Sequence, residues 1–351
     1  MIRVDPQHLL TLISNKLQRA GLQAHHADTV AASLVHADKR GVHSHGALRT
    51  EYYVERICKG GINTAPEFTV RHELPSVMIF DGDNGPGHFA AQQAMTRGIE
   101  IAQQQGLCAV GIRRISHSGA LSFFVEQAAK SGMVALSLCQ SDPMVVPYGG
   151  SEPYYGTNPI AFAAPGEGDD YMMLDMATSV QAWGKILDAR LRQQPIPADW
   201  AVDSHGQPTT DPTAVAGLNA ISGPKGYGLM MMVDVLAGML LGLPFGKHVS
   251  SMYQNMSEGR NLGQLHVIFN PAAFTDSAVF RASVSRSMAE LKASKPAQGV
   301  DRVLYPGEDC ILREALADAQ GVAVNEDVWR YLQSETLHSD RYETGNPFNG
   351  R

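Results

Sequence analysis

The sequence predicts an α/β chain on three observations. Amphipathic helical stretches fill the first sixty residues. Short apolar, strand-like runs then alternate with helical ones between positions 76 and 175. Gly-, Asp- and Asn-rich turns punctuate that alternation, as in Asp81-Gly82-Asp83-Asn84-Gly85.

In order along the chain, Asp5 and Pro6 start a helix that Gly21 ends, with Leu9, Leu10, Ile13 and Leu17 on one face. A second helix is predicted from Ala24 to Arg40 and a third from Ala47 to Cys58. Ser76–Phe80 reads as a strand, His88–Gln105 as a helix, Cys108–Ile115 as a strand and Gly119–Ser131 as a helix. Strands follow at Met133–Gln140, Ile160–Ala164 and Tyr171–Asp175, then a helix at Trp183–Gln194 and a polar loop from Pro195 to Pro212. The apolar stretch Tyr227–Phe245 contains Asp234, Gly238 and Gly242, so it is predicted as a buried core helix rather than a membrane span. A strand at Gln264–Asn270 and a helix at Asp276–Ala293 precede a tail with helical patches.

Composition narrows the function classes. The 351 residues carry a net charge of -7, and basic residues never run beyond pairs, which offers no electrostatic footprint for nucleic acid. Four cysteines without a C-x-x-C pair predict free thiols rather than a disulfide scaffold or zinc ribbon. The N-terminal stretch has no apolar signal core, and the expected location is the cytoplasm.

No G-x-G-x-x-G follows a strand, so a Rossmann cofactor site is not predicted. Four other segments carry chemistry-bearing residues. His43-Ser44-His45-Gly46-Ala47-Leu48-Arg49 lies at a helix junction, where a histidine can move a proton and a guanidinium can grip a carboxylate. A capping Ser44 with exposed histidines explains the same residues, and His43-x-His45 lacks partner ligands, so no metal is expected. Ser116-His117-Ser118-Gly119 falls between a strand and a helix, at the rim where α/β sheets bind ligands. Lys225, in Gly223-Pro224-Lys225-Gly226-Tyr227-Gly228, adds charge to a helix start suited to a pyrophosphate. Asp175-Met176-Ala177-Thr178 ends a strand, and its carboxylate either accepts from a ribose or caps the next helix.

Taken together these segments resemble the malate/lactate/ureidoglycolate dehydrogenase family, a non-Rossmann group. Gly41-Val42-His43-Ser44-His45-Gly46, Ser141-Asp142-Pro143, Gly156-Thr157-Asn158-Pro159, Asp175-Met176-Ala177 and the Lys225 segment carry the likeness in the family's order. Val180-Gln181-Ala182-Trp183-Gly184-Lys185, Ser250-Ser251-Met252-Tyr253 and Gly259-Arg260-Asn261-Leu262-Gly263 are nearest to its ureidoglycolate-oxidising members.

The resemblance implies a largely antiparallel cofactor-binding sheet and a helical substrate and dimerisation region. On that division, residues 119–244 bind the cofactor, while 1–118 and 245–351 form the helical region. It implies oxidation of (S)-ureidoglycolate to oxalurate with NAD+ in purine (allantoin) breakdown, by a homodimer or higher assembly. Malate, lactate or sulfolactate is the alternative substrate. His117 is the expected general base, with His45 its rival or a substrate ligand. Ser44, Arg49 and Arg260 are expected on the substrate, and Ser141 where substrate meets nicotinamide. Asp175, Met176, Ala177, Lys225, Gly307, Glu308 and Asp309 are expected along the cofactor.

Overall fold

The structure is a computed structural model that describes residues 1–342. It opens with strand β1 (Ile2–Val4), helix α1 (Pro6–Arg19) and helix α2 (Ala24–Lys39). Asp5 caps α1 by accepting a hydrogen bond from the His8 amide, as its position predicts. Two 3₁₀ turns, His43–His45 and Ala47–Arg49, lead into α3 (Thr50–Cys58). The third helix therefore starts at Thr50 and not at Ala47, because the extended backbone of Gly46 breaks the junction into single turns.

Strands β2 (Thr69–Leu74) and β3 (Val77–Asp81), helix α4 (Gly87–Gln105), strand β4 (Leu107–Ile115), helix α5 (Ser122–Lys130) and strands β5 (Val134–Cys139), β6 (Ile160–Pro165) and β7 (Tyr171–Met176) follow. Helix α6 (Trp183–Arg192) precedes the small pair β8 (Ala201–Val202) and β9 (Gly217–Leu218). Then come helix α7 (Pro224–Ala237), strand β10 (Leu262–Phe269), helices α8 (Ser277–Lys292) and α9 (Glu308–Gln320), strand β11 (Val322–Val324), paired with β1, and helix α10 (Glu326–Gln333).

The seven-stranded sheet has the order β2-β3-β4-β10-β5-β6-β7. Only β3 and β4 pair in parallel; every other neighbouring pair is antiparallel. One face packs on α4 and α5, where Ala94, Met95, Phe124 and Val125 meet Val110, Ile112, Ala135 and Ile268. The other face packs on α7 through Val233 and Ala237 against Leu138 and Leu265. A separate core joins α1, α2 and α3 to β11 and α10. The sheet draws β2–β4 and β10 from segments assigned by resemblance to the helical region, so the 118/119 division runs through the sheet.

Helix α7 corrects one expectation. It is not a buried core helix: Met230, Val233 and Ala237 are covered, but Met231 and Val235 are 49% and 40% exposed. The apolar residues run all round the helix, so composition concealed that only one stripe faces this chain's own core.

Candidate active site

Strand direction gathers the site along one edge of the sheet. β10 runs antiparallel to both β4 and β5, and β6 runs antiparallel to β5 and β7. The C-terminal ends of β4, β5 and β7 and the N-terminal ends of β10 and β6 therefore share an edge. Read across the strand order, that edge presents His117 after β4, Arg260 before β10, Ser141 after β5, Asn158 before β6, and Asp175 and Met176 at the end of β7. Candidate substrate residues occupy one end of the row and candidate cofactor residues the other, with Ser141 between them.

The helix junction supplies the facing wall. The His45 and His117 rings stack with centroids 5.7 Å apart. Ser44 Oγ lies 3.0 Å from His45 Nδ1, and Arg49 Nε donates to the Ser44 carbonyl at 2.7 Å. Arg49 also donates to the Tyr253 hydroxyl at 2.9 Å. His117 Nδ1 is 2.6 Å from the hydroxyl of Tyr53, which is 3.3 Å from His88 Nε2. Burial holds His117 well below the usual histidine pKa, and the charges of His45, Arg49, His88 and Arg260 push the same way. Burial, with Arg49, takes His45 down to about 4. Both rings are thus neutral near pH 7, yet both remain partly open to solvent. That is the state a general base requires.

One buried carboxylate holds the junction in place. Asp38 accepts from His43 Nδ1 at 2.8 Å and from the Ala47 amide at 2.6 Å. Its hydrogen bond raises the His43 pKa. Gly46 passes so close that a Cβ there would lie 2.1 Å from Asp38 Oδ1. His43 is therefore a strut, and Ser44, His45 and Arg49 are what it supports.

Arg260 is 2% exposed, although its place in a loop would by itself suggest a solvated arginine. Its Nε donates to Ser250 Oγ at 2.8 Å and one terminal nitrogen to the Ser250 carbonyl at 2.6 Å, with Asp142 at 3.5 Å. Asp142 also accepts from the Met252 amide at 3.0 Å. Tyr53, His88, Tyr253 and Asp142 were given no role by the sequence reading, although Asp142 and Tyr253 lie in stretches that carry the family likeness. Tyr53 left a signal of its own, four residues after Arg49 and so one helical turn along the same face.

The cofactor residues cluster at the far end. Ser141 Oγ is 3.2 Å from Thr157 Oγ1, and the Ser141 amide reaches Asn158. Lys225 is exposed in the first turn of α7, after Gly223 at φ 58°. Gly307 sits so near β7 that a Cβ would lie 2.4 Å from the Met173 carbonyl. An exposed lysine at a helix start, beside strand ends and a glycine pressed on the sheet, fits a dinucleotide with its pyrophosphate. Three side chains are committed elsewhere. Asp175 accepts from the Ser122 amide at 2.7 Å, so it does cap a helix, though α5 rather than the next one. The buried carboxylate of Glu308 pairs with Lys292 at 3.2 Å. Asp309 pairs with Arg313 at 3.2 Å.

Residues 4–333 match the family model described as malate/L-lactate dehydrogenase, and the chain belongs to that family. Among its curated relatives is a ureidoglycolate dehydrogenase (NAD(+)) of Escherichia coli, 55% identical over 347 residues and covering 99% of each chain. A malate dehydrogenase of Pyrococcus abyssi is 35% identical, over 88% of this chain and 86% of its own. The solved sulfolactate dehydrogenase of Methanocaldococcus jannaschii superposes with a TM-score of 0.88 at 32% identity, over 95% of this chain and 96% of its own. The fold expected from the resemblance, α/β with a mostly antiparallel sheet, is thereby borne out.

Proposed function

We propose that this chain oxidises (S)-ureidoglycolate to oxalurate with NAD+, in purine (allantoin) breakdown. The observation that carries the mechanism is the placing of His117, neutral, with Nδ1 tied to Tyr53 and Nε2 making no hydrogen bond to a described residue. Bound at the Ser141–Lys225 end, NAD+ supplies the acceptor for the hydride that leaves the hydroxyl-bearing carbon. His117 Nε2 takes the hydroxyl proton. Arg49 and Arg260 face the carboxylate and ureido oxygen, holding the reacting carbon in register with Ser141. His45, stacked on His117, orients the substrate in this reading. Met176, Ala177 and Gly307 contribute backbone and surface to the cofactor site, and Glu308 contributes backbone alone.

The relative at 55% identity supports the substrate and NAD+. The exposed apolar residues of α7, Met231, Met232 and Val235, continued by Leu240, support a homodimer in which a second copy covers them. Four free thiols support a reducing, cytoplasmic setting. Among the described residues, no helix is long and apolar enough to cross a membrane.

The test is NADH formation by purified protein offered ureidoglycolate, malate, lactate and sulfolactate with NAD+ or NADP+. The highest kcat/KM belongs to ureidoglycolate with NAD+. A higher value for another hydroxy acid overturns the substrate and leaves the catalytic residues in place.

A further inference from the structure

Outside the residues already assigned roles, the most informative group is the chain of ring atoms behind His117. His117 Nδ1, Tyr53 Oη and His88 Nε2 follow one another at 2.6 and 3.3 Å. A phenol has one proton to give. If Tyr53 gives it to His117 Nδ1, then Nε2 must carry the imidazole hydrogen and is no base. If Tyr53 gives it to His88 Nε2, the Tyr53 oxygen accepts from His117 Nδ1–H, and Nε2 is bare. The direction of the chain therefore decides whether His117 can act.

We propose that Tyr53 and His88 are positioning residues that select the His117 tautomer with a bare Nε2. The proposal rests on His117 being the base. Three features of the fold support it. His88 is 1% exposed, and burial takes it down to about 3, so it stays neutral and keeps an accepting nitrogen. Burial also raises the Tyr53 pKa, which keeps its proton on the oxygen. The ring of His88 is then locked against the strand end that carries His117. The Gly87 amide donates to Ser116 Oγ at 2.8 Å, and a Cβ on Gly87 would lie 2.1 Å from the Ser116 carbonyl. Gly119 leaves the opening for that ring: a Cβ there would lie 2.7 Å from His88 Nε2.

A neutral orienting group has a consequence that a carboxylate would not. A carboxylate on Nδ1 would raise the pKa of His117 and favour its charged form. The tyrosine–histidine chain orients the ring without adding charge, so the neighbouring arginines keep it neutral and ready to accept.

The test is a double-mutant cycle on hydroxy-acid oxidation, with KM and NADH binding measured alongside kcat. Tyr53→Phe and His88→Leu each lower kcat by about 10–100-fold, less than the about 10⁴-fold that follows loss of a charged orienting group. Hydroxy-acid KM and NADH affinity stay within about 3-fold. The double variant is no slower than the worse single one, because both break one chain. His88→Gln, whose amide oxygen can accept from Tyr53, recovers most of the loss. Wild-type kcat in either single variant, or losses that multiply in the double variant, overturns the proposal. His117→Ala in the same series separates the two readings. If it is slow while Tyr53→Phe is normal, only the positioning chain fails; if it is itself normal, the base assignment fails.

Discussion

Moving the protein from about pH 7.5 to about pH 5.5 should cost it about 4 kcal/mol of stability. The cost comes from histidines buried in neutral form. His26, His88 and His266 are 3%, 1% and 0% exposed, and burial lowers them to about 4, about 3 and about 4. His266 shows why: Nδ1 meets Ser137 Oγ at 2.7 Å and Nε2 meets the Ala91 carbonyl at 3.2 Å, which suits one neutral tautomer. Each of these groups has a folded pKa below its unfolded value of about 6.5. The stability it contributes is complete above about 6.5 and is lost as pH falls toward the folded pKa. At about pH 5.5 the unfolded chain binds nearly one extra proton per histidine, worth about 1.4 kcal/mol each. The partly exposed His45 and His117, also lowered, add to this loss, and His43, raised by Asp38, opposes it, so the figure is that of the three fully buried rings alone. His36 is not counted. Burial lowers it to about 3, but Glu126 lies 3.2 Å from its Nδ1, a contact that favours the charged ring. Denaturant unfolding followed by fluorescence at the two pH values measures the difference, and a His266→Gln variant should reduce it by about 1.4 kcal/mol. Stability that is flat or rises on acidification refutes the reasoning.

Asp38→Ala removes two hydrogen bonds to a buried carboxylate, each worth about 1.5–3 kcal/mol, and also ends the carboxylate's burial cost. The net loss is about 2–3 kcal/mol by denaturant unfolding, with kcat/KM falling at least about 10-fold as Ser44 and Arg49 lose their support; unchanged kinetics would show that the junction holds itself. Arg260→Ala raises the hydroxy-acid KM by at least about 10-fold in steady-state assays, and Arg260→Lys does not restore it, because an ammonium lacks the planar fork that Ser250 and Asp142 grip. Unchanged KM removes Arg260 from the substrate.

The helices that announced themselves in the sequence are those with local signals. Asp5 and Asp276 both cap the helices predicted to follow them. Strands β1, β2 and β11 went unread because they are short or polar and gain their pairing from distant segments, as β1 does from β11 across most of the chain. Helix α7 misled because its burial depends on which side of an all-apolar helix meets the sheet. The same division holds at the site. His45 and His117 stood out by their places at element ends, and Ser141 and Arg260 through the family likeness alone, but their convergence follows from strand order, which no local pattern encodes. Tyr53 and His88 lie 35 positions apart and meet only because the start of α4 is pressed on the end of β4.

The most direct test of the central claim is the turnover of His117→Ala with ureidoglycolate and NAD+, measured beside its affinity for NADH. The account predicts turnover lower by about 100-fold or more, with NADH affinity nearly unchanged, because a general base contributes about 10²–10⁴-fold and the cofactor is held at the other end of the edge. Near-normal turnover would contradict it and make His45 the base.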